Sequence, residues 1–248
     1  ALPKRDMPEG RGKEIGMVFQ EPMSSLNPVM TIGAQIEEAI LLHERMPAAE
    51  RRKRVIDLLR LVGMPDPEAR VNAYPGQFSG GMRQRVMAAI AMACNPRLLI
   101  ADEPTTALDV TIQAQVLAMM LDIRDRLNSA ILLITHDLGV VAEVCERIVV
   151  MYAGHVVEDA DVRTLFSRPR HPYTQGLLQS VPTLTDTRKR LYQIPGSVPP
   201  AGTITQGCPF RARCPKRLDR CAVEMPPMVT QGPNHRAACW ATAMEAVA

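Results

Sequence analysis

The sequence Leu98-Leu99-Ile100-Ala101-Asp102-Glu103 sets four apolar residues directly before two carboxylates. A short and fully apolar run is typical of a strand that is buried on both faces, as in a parallel sheet. Ligands of open α/β sheets bind at the carboxyl ends of the strands, so Asp102 and Glu103 are expected at a functional site. In phosphoryl transfer, one such acid holds Mg²⁺ and a neighbouring acid polarises the attacking water. The alternative is that the two acids only make the strand end soluble.

The flanking sequence alternates between predicted strands and helices. Apolar runs at Ile15–Phe19 and Ala130–Ile134 predict two more buried strands. Apolar residues at helical spacing predict amphipathic helices, which are Thr31–Arg45, Ala48–Val62, Met82–Cys94, Val110–Leu127 and Leu138–Cys145. The runs Ile148–Met151 and His155–Val157, joined by a turn, predict an antiparallel edge to the sheet. The fold class is therefore α/β with a buried, largely parallel sheet.

A histidine follows the strand predicted at Ala130–Ile134. His136 is expected at the same sheet edge as Asp102 and Glu103 if the two strands are neighbours. There its imidazole could donate a hydrogen bond to a phosphate oxygen, although a lone histidine at a strand end is more often structural. Two acids and a histidine at successive strand ends favour a site over a coincidence.

Composition restricts the class of protein. Of 248 residues, 46% are apolar and 22% are charged, which is typical of a globular chain. The longest apolar runs are shorter than the roughly 20 residues that a membrane-spanning helix needs. A net charge of only +3 disfavours nucleic-acid binding. Prolines, glycines and four of the six cysteines concentrate toward the C-terminus. We therefore predict two domains, 1–165 and a loop-rich extension over 166–248.

Five short motifs follow one another along the chain, which are Val18-Phe19-Gln20-Glu21-Pro22, Phe78-Ser79-Gly80-Gly81-Met82-Arg83-Gln84-Arg85, Leu98–Glu103, Ala107-Leu108-Asp109 and His136. In this order they resemble the Q-loop, signature, Walker B, D-loop and switch histidine of ABC-type ATPases. The ordered set is far more specific than any one motif. The resemblance implies an ABC-type P-loop ATPase fold with a helical signature subdomain, and ATP and Mg²⁺ as ligands.

The resemblance also implies roles for individual residues. Glu103 would be the general base or water polariser, and His136 would contact the γ-phosphate of ATP. Asp102 would bind Mg²⁺, Gln20 would sense Mg²⁺ and the membrane partner, and Asp109 would communicate between two sites. The signature residues Ser79, Gly80 and Gly81 would close over ATP that is held by a second subunit. Their chemistry fits this task, because glycine lets the backbone approach a phosphate and a capped helix N-terminus favours an anion.

The phosphate-binding loop of this family is absent from the sequence. No Gly-x-x-x-x-Gly-Lys-Ser/Thr occurs, and Gly12-Lys13 is followed by Glu14. We therefore expect that the ABC fold is incomplete at the N-terminus, that a preceding portion supplies the loop, and that the chain alone is inactive. A natural degenerate subunit is the alternative, and the presence of Glu103 and His136 argues against it.

Within the family, the chain is most similar to the ATPases of oligopeptide, dipeptide or nickel importers. The similarity lies in Gln20–Pro28, in Met82 and in His171-Pro172-Tyr173-Thr174. It implies a second ATPase subunit, transmembrane permease subunits and, indirectly, a substrate-binding protein as partners. It also implies a peripheral position on the cytoplasmic face of the bacterial inner membrane.

Cys208, Cys214, Cys221 and Cys239 lie together in the extension, with five, six and seventeen residues between them. This spacing fits neither common zinc sites nor ferredoxins, so spacing alone leaves the metal undecided. Disulfides or four unrelated thiols are the alternatives. Resemblance to the tails of peptide-importer ATPases implies that the four cysteines ligate a 4Fe-4S cluster.

Two other functions remain open at this point. A non-transport ABC ATPase could act on nucleic acid through a metal-binding cysteine module, although the mild net charge disfavours this. A metal-binding interaction module with a vestigial ATPase would not dimerise with nucleotide. The leading hypothesis is an ATP-hydrolysing subunit that powers import of peptides or nickel.

Overall fold

The computed structural model describes residues 10–21, 25–106, 108–182, 192–200, 202–204 and 206–245. By its internal contacts the chain divides after His136 into a first unit and a second unit, each with its own hydrophobic core. The domain boundary near residue 165 stays a prediction. Among the described residues, no helix combines the length and the hydropathy that crossing a membrane requires.

A three-stranded parallel sheet organises the first unit. Its strands are β1 (Ile15–Val18), β2 (Leu98–Asp102) and β3 (Ala130–Ile134), with β2 in the centre. Leu98 pairs with Ile15 on one side and with Ala130 on the other, and all three strands run in the same direction. Their carboxyl ends therefore lie at one edge, as the sequence predicts.

Helices cover one face of this sheet. They are α1 (Ile32–Leu41), α2 (Ala48–Leu61), α3 (Pro67–Arg70), α4 (Gly80–Ala91) and α5 (Val110–Leu127), with a 3₁₀ turn at Pro75–Gln77. Leu99 and Ala101 on β2 are buried in the core that these helices form. Helix α4 ends at Ala91, earlier than the predicted Cys94, because residues 92–94 form a turn that is nonetheless buried.

The opposite face of the sheet is exposed to solvent. Met17 on β1 and Leu132 and Ile134 on β3 are 37%, 51% and 45% exposed. Side chains alternate between the two faces of a strand, so these residues share one face and the buried residues share the other. Such an apolar face is unusual, since parallel sheets are generally covered on both sides.

The second unit contains α6 (Leu138–Val144), β4 (Arg147–Tyr152), β5 (His155–Asp161), α7 (Val162–Ser167), α8 (Pro172–Ser180), α9 (Arg220–Val223), β6 (Val229–Gly232), β7 (His235–Ala237) and α10 (Trp240–Glu245). Its strands form a separate antiparallel sheet in the order β4-β5-β7-β6. The prediction that β4 and β5 edge the parallel sheet is therefore wrong. The physical reason is that β5 pairs on its other side with β7, which comes from the distant C-terminal sequence.

A buried carboxylate ties this second sheet together. Glu158 on β5 is 0% exposed and accepts hydrogen bonds from the backbone N–H groups of Arg170 (2.6 Å) and His171 (2.9 Å). Its Oε1 also lies 2.7 Å from Nε2 of His235 on β7. A buried charge is tolerated when it is paired and hydrogen-bonded in this way. Glu158 thereby joins β5, β7 and the segment that leads into α8.

Candidate functional site

Glu103 lies directly after β2, at the carboxyl edge of the parallel sheet. Its backbone N–H donates to the carbonyl of Ile134 on β3 at 2.8 Å, and its φ of +45° is in the left-handed region. A residue other than glycine seldom adopts this conformation, and such strain is concentrated at functional sites. Regular sheet pairing therefore ends at this turn. The Glu103 side chain is 24% exposed.

Three side chains converge on the Glu103 carboxylate. Gln20 Nε2 donates to Oε2 at 2.8 Å, and Thr106 Oγ1 donates to the same oxygen at 2.9 Å. His136 Nδ1 lies 3.0 Å from the other oxygen, Oε1. Residues that follow three different strands are thus joined at one carboxylate, and the structure brings together Gln20, Glu103 and His136 of the predicted site.

These hydrogen bonds keep Glu103 ionised. The pKa of its carboxyl group is lowered, first by the hydrogen bond from His136 and then by the one from Thr106. A carboxylate only accepts hydrogen bonds, so His136 Nδ1 carries a proton in this contact. A neutral His136 would then have an unprotonated Nε2, which can accept a hydrogen bond but cannot donate one. Because the imidazole is 77% exposed, it can turn without disturbing a core.

Asp102 is the last residue of β2 and is half-buried beside Glu103. No hydrogen bond between Asp102 and another described side chain occurs in the structure. Asp102 ends β2, and Gln20 follows β1, the parallel strand next to it. Their side chains therefore place hard oxygen donors at one edge of the sheet. This donor set suits Mg²⁺.

The signature residues and Asp109 lie at the starts of two helices. Ser79 caps α4, with Oγ accepting from Met82 N at 3.4 Å, as the sequence predicts. Asp109 caps α5, with Oδ1 accepting from Ile112 N at 3.0 Å. The two helices pack closely at Gly81, where an added Cβ would stand 2.7 Å from Ile112 Cγ2 on α5.

The structure therefore gives Gly81 a packing role, whereas a Cβ at Gly80 would make only ordinary contact with Leu108 at 3.5 Å. Among the described side chains, no hydrogen bond joins Ser79 or Asp109 to the Glu103 group. The predicted site residues thus form two groups within the first unit.

The sequence analysis does not predict two polar contacts in this region. Thr106 donates to Glu103 from the turn that follows β2, and Gln84 on α4 donates to the Pro104 carbonyl in the same turn. Gln84 is buried, so it holds the turn against the helix. A hydroxyl residue three positions after a strand-end acid is the signal that could have identified Thr106. Ala107 and the stretch Pro22-Met23-Ser24 lie outside the described residues.

All four cysteines of the extension belong to the second unit. Cys208, Cys221 and Cys239 are buried and Cys214 is half-buried, and all four are free thiols. The pKa of Cys208 is raised to about 11, chiefly by burial and to a smaller extent by the nearby thiols of Cys221, Cys214 and Cys239. Among the described residues, no three potential ligands are close enough to hold a single metal ion. The other two cysteines, Cys94 and Cys145, have pKa values raised by burial, as expected for inert thiols.

Family comparisons match both parts of the chain. A family model described as "ABC transporter" matches residues 3–106. A second model, described as "Oligopeptide/dipeptide transporter, C-terminal region", matches residues 157–221. The first range contains Gln20, the signature and Glu103, and the second ends at Cys221.

The chain is also similar to individual ATP-binding proteins of transporters. It is 54% identical over 240 residues to a probable peptide ABC transporter ATP-binding protein of Sinorhizobium fredii, covering 96% of this chain and 72% of that protein. It is 51% identical over 228 residues to the dipeptide transport ATP-binding protein of Escherichia coli, covering 92% and 70%.

Among solved structures, a dimeric ATP-binding cassette in a post-hydrolysis state with ADP and phosphate is similar at 30% identity. Its TM-score is 0.57, and the match covers 65% of this chain and 68% of that one. A cassette from Clostridium perfringens that belongs to an ABC transporter complex matches at 27% identity and a TM-score of 0.56, covering 62% and 60%.

Proposed function

The chain belongs to the ATP-binding proteins of peptide ABC transporters, and from this premise we propose how its residues serve ATP hydrolysis. As a complete polypeptide, a protein of this family is an ATPase that binds ATP with Mg²⁺ and associates with the membrane through other subunits. The peptide-transport relatives favour peptide import over an action on nucleic acid. The single observation that carries the proposed chemistry is the convergence of Gln20, Thr106 and His136 on Glu103.

Glu103 is the residue that polarises the attacking water. In the structure both of its oxygens already accept hydrogen bonds, and its pKa is lowered. A carboxylate in this condition is a weak base, and loss of one donor would raise its basicity and open a position for water. His136 is a donor that can leave readily, because its imidazole is 77% exposed and is not held by packing. Release of His136 from Oε1 would free Glu103 for water and His136 for the γ-phosphate.

Mg²⁺ would be held by Asp102 and Gln20 at the ends of β2 and β1. Their oxygen atoms are the hard donors that Mg²⁺ prefers, and the parallel register of the strands places them at the same edge. When bound, the ion neutralises charge that develops on the phosphate oxygens. Gln20 also donates to Glu103. A change in the contacts of Gln20 would therefore alter the hydrogen bonding of the catalytic carboxylate.

The signature group serves a second subunit. The capped N-terminus of α4 at Ser79, with Gly80 and Gly81 in its first turn, is suited to bind an anion. We assign it to the γ-phosphate of ATP that is held by the partner in a dimer, and Asp109 to communication between the two sites. The ATPase dimer would dock to transmembrane permease subunits on the cytoplasmic face of the membrane and, through them, serve a substrate-binding protein.

Cys208, Cys214, Cys221 and Cys239 are proposed to ligate a 4Fe-4S cluster. Four free thiols that interact electrostatically in a mostly buried setting are the ligand set that such a cluster requires. A four-iron cluster is wider than one ion, so its ligands need not converge as tightly as those of zinc. The group would cross-link the segments that carry the four cysteines, and binding would require loss of the thiol protons.

The catalytic assignment is tested by changing Glu103 in a polypeptide where a phosphate-binding loop precedes this chain. Glu103→Gln should reduce ATP turnover by about 100-fold or more while leaving ATP binding intact, because the amide cannot accept a proton. Glu50→Gln is the matched control, since Glu50 is an exposed residue in the first turn of α2. Equal turnover in the two variants would remove Glu103 from its assigned role.

The cluster assignment is tested by anaerobic purification, with iron and sulfide determined chemically and the visible absorption recorded. Cys208→Ser should lose the iron and the absorption band, whereas Cys145→Ser, which changes a cysteine outside the group, should retain both. Iron-free protein from an anaerobic preparation, or equal iron in both variants, would refute the assignment.

A further inference from the structure

The second unit contains a cavity of about 370 Å³ that none of the motifs above explains. Among the described residues it is lined by Ser167, Arg168, Pro169, Arg170, Gln175, Lys216 and Thr242. Its volume is within the range of small-molecule sites. Three of these residues are cations, and the described part of the wall contains no carboxylate.

The cations of this wall differ from others in the second unit. Arg147 and Arg236 both pair with Asp159, and Arg220 pairs with Glu224. Over the ranges that the structure describes, neither Arg168 nor Lys216 forms an ion pair with a carboxylate. Two positive charges that face a common cavity without an internal partner favour occupation by an anion.

The wall is held in place by the surrounding structure. The backbone N–H of Arg168 donates to Thr164 O at 2.8 Å, at the end of α7. Two residues on, the backbone N–H of Arg170 donates to buried Glu158, and Gln175 Nε2 donates to the Pro169 carbonyl at 2.9 Å. Fixing the backbone on both sides of the cations reduces the entropy that ligand binding would otherwise cost.

We propose that this cavity binds a small molecule through a phosphate group. Phosphate monoesters carry a charge of about −1.5 to −2 at neutral pH, which matches the two unpaired cations. The guanidinium of Arg168 can donate two parallel hydrogen bonds to phosphate, and the ammonium of Lys216 acts as a point charge. Thr242, which is 2% exposed, completes the wall, and its hydroxyl donates to the Cys239 carbonyl at 3.4 Å. The phosphate comes either from a soluble metabolite or from the headgroup of an anionic phospholipid.

The test uses the 248-residue chain, with inorganic phosphate and glycerol 3-phosphate as soluble probes. Trp240 is the only tryptophan and lies two residues before Thr242, so its fluorescence reports on the cavity wall. Binding heat is measured by calorimetry on the same samples at constant ionic strength, with chloride as the reference anion. The double variant Arg168→Gln/Lys216→Gln should bind at least about tenfold more weakly, as expected for loss of charged hydrogen bonds.

The matched control is Arg163→Gln/Arg217→Gln, which removes the same charge from exposed residues of the same unit that do not line the cavity. Its affinity should equal that of the unchanged chain, and circular dichroism should show equal folding of both variants. Sedimentation with phosphatidylglycerol vesicles distinguishes the two sources, because a headgroup site binds vesicles and a metabolite site binds only the soluble probes. The proposal is overturned if neither source binds in excess of chloride, or if the two double variants weaken binding equally.

Discussion

Acidification should destabilise the second unit through one buried imidazole, that of His171. The side chain is 1% exposed, and burial lowers its pKa to about 4, against a smaller opposing effect of Glu158. Its Nδ1 accepts a hydrogen bond from the backbone N–H of Tyr173 at 3.1 Å and so caps α8. Protonation of Nδ1 would remove this acceptor and would place a charge in the core.

The sign of the effect follows from proton binding. An unfolded chain titrates His171 near its ordinary pKa of about 6.5, whereas the folded chain stays neutral to about pH 4. Between these values the unfolded state binds more protons, so stability falls as the pH falls. From about pH 7 to about pH 4.5 the expected loss from this residue is about 2.5 kcal/mol of unfolding free energy.

The assay is urea unfolding followed by Trp240 fluorescence at both pH values. His171→Asn is the comparison variant, because asparagine does not titrate and its side-chain oxygen can still accept from Tyr173 N. The unchanged protein should lose about 2.5 kcal/mol more than the variant on acidification. Contributions that are common to the two proteins cancel in the difference. An equal loss in both proteins would show that His171 is not the buried neutral group described here.

Three further changes test the first unit. Gly81→Ala should destabilise the first unit by about 1–3 kcal/mol in chemical unfolding followed by circular dichroism, because the new Cβ meets Ile112 at 2.7 Å. Adding Ile112→Ala should recover most of the lost stability, and an unchanged stability of Gly81→Ala would contradict the close approach. Asp109→Ala should cost about 1 kcal/mol by the same measurement through loss of the α5 cap, whereas Asp109→Asn should cost less. Thr106→Val removes a donor that lowers the Glu103 pKa, so in a polypeptide where a phosphate-binding loop precedes this chain the acidic limb of the ATPase pH profile should move to higher pH. Thr106→Ser should restore the limb, and an unmoved limb in Thr106→Val would exclude Thr106 from the network.

Much of the first unit follows from local sequence. The apolar run at Leu98–Ala101 identifies the central strand, and the residue type at Ser79 identifies a helix start that the structure confirms. The convergence of Gln20 and His136 on Glu103 depends on how the three strands pair. Strand order and parallel pairing bring together residues 83 and 33 positions apart, and periodicity within one segment contains no such information.

The second unit is harder to predict because its key contacts are non-local. The pairing of β5 with β7 depends on Glu158 and His235, which are 77 positions apart and individually look like ordinary surface residues. The sequence therefore suggested an edge to the parallel sheet instead of a second sheet. The cationic cavity was missed for the same reason, since Lys216 and Thr242 are distant in sequence from Arg168.

The most direct test of the account is ATP-dependent dimerisation of the Glu103→Gln variant, measured by analytical ultracentrifugation with a phosphate-binding loop preceding this chain. Slow hydrolysis should preserve ATP between the Ser79 surface of one subunit and the nucleotide site of the other. The account predicts a dimer with Mg-ATP and a monomer with Mg-ADP. A variant that binds ATP but stays monomeric at saturating nucleotide would contradict it.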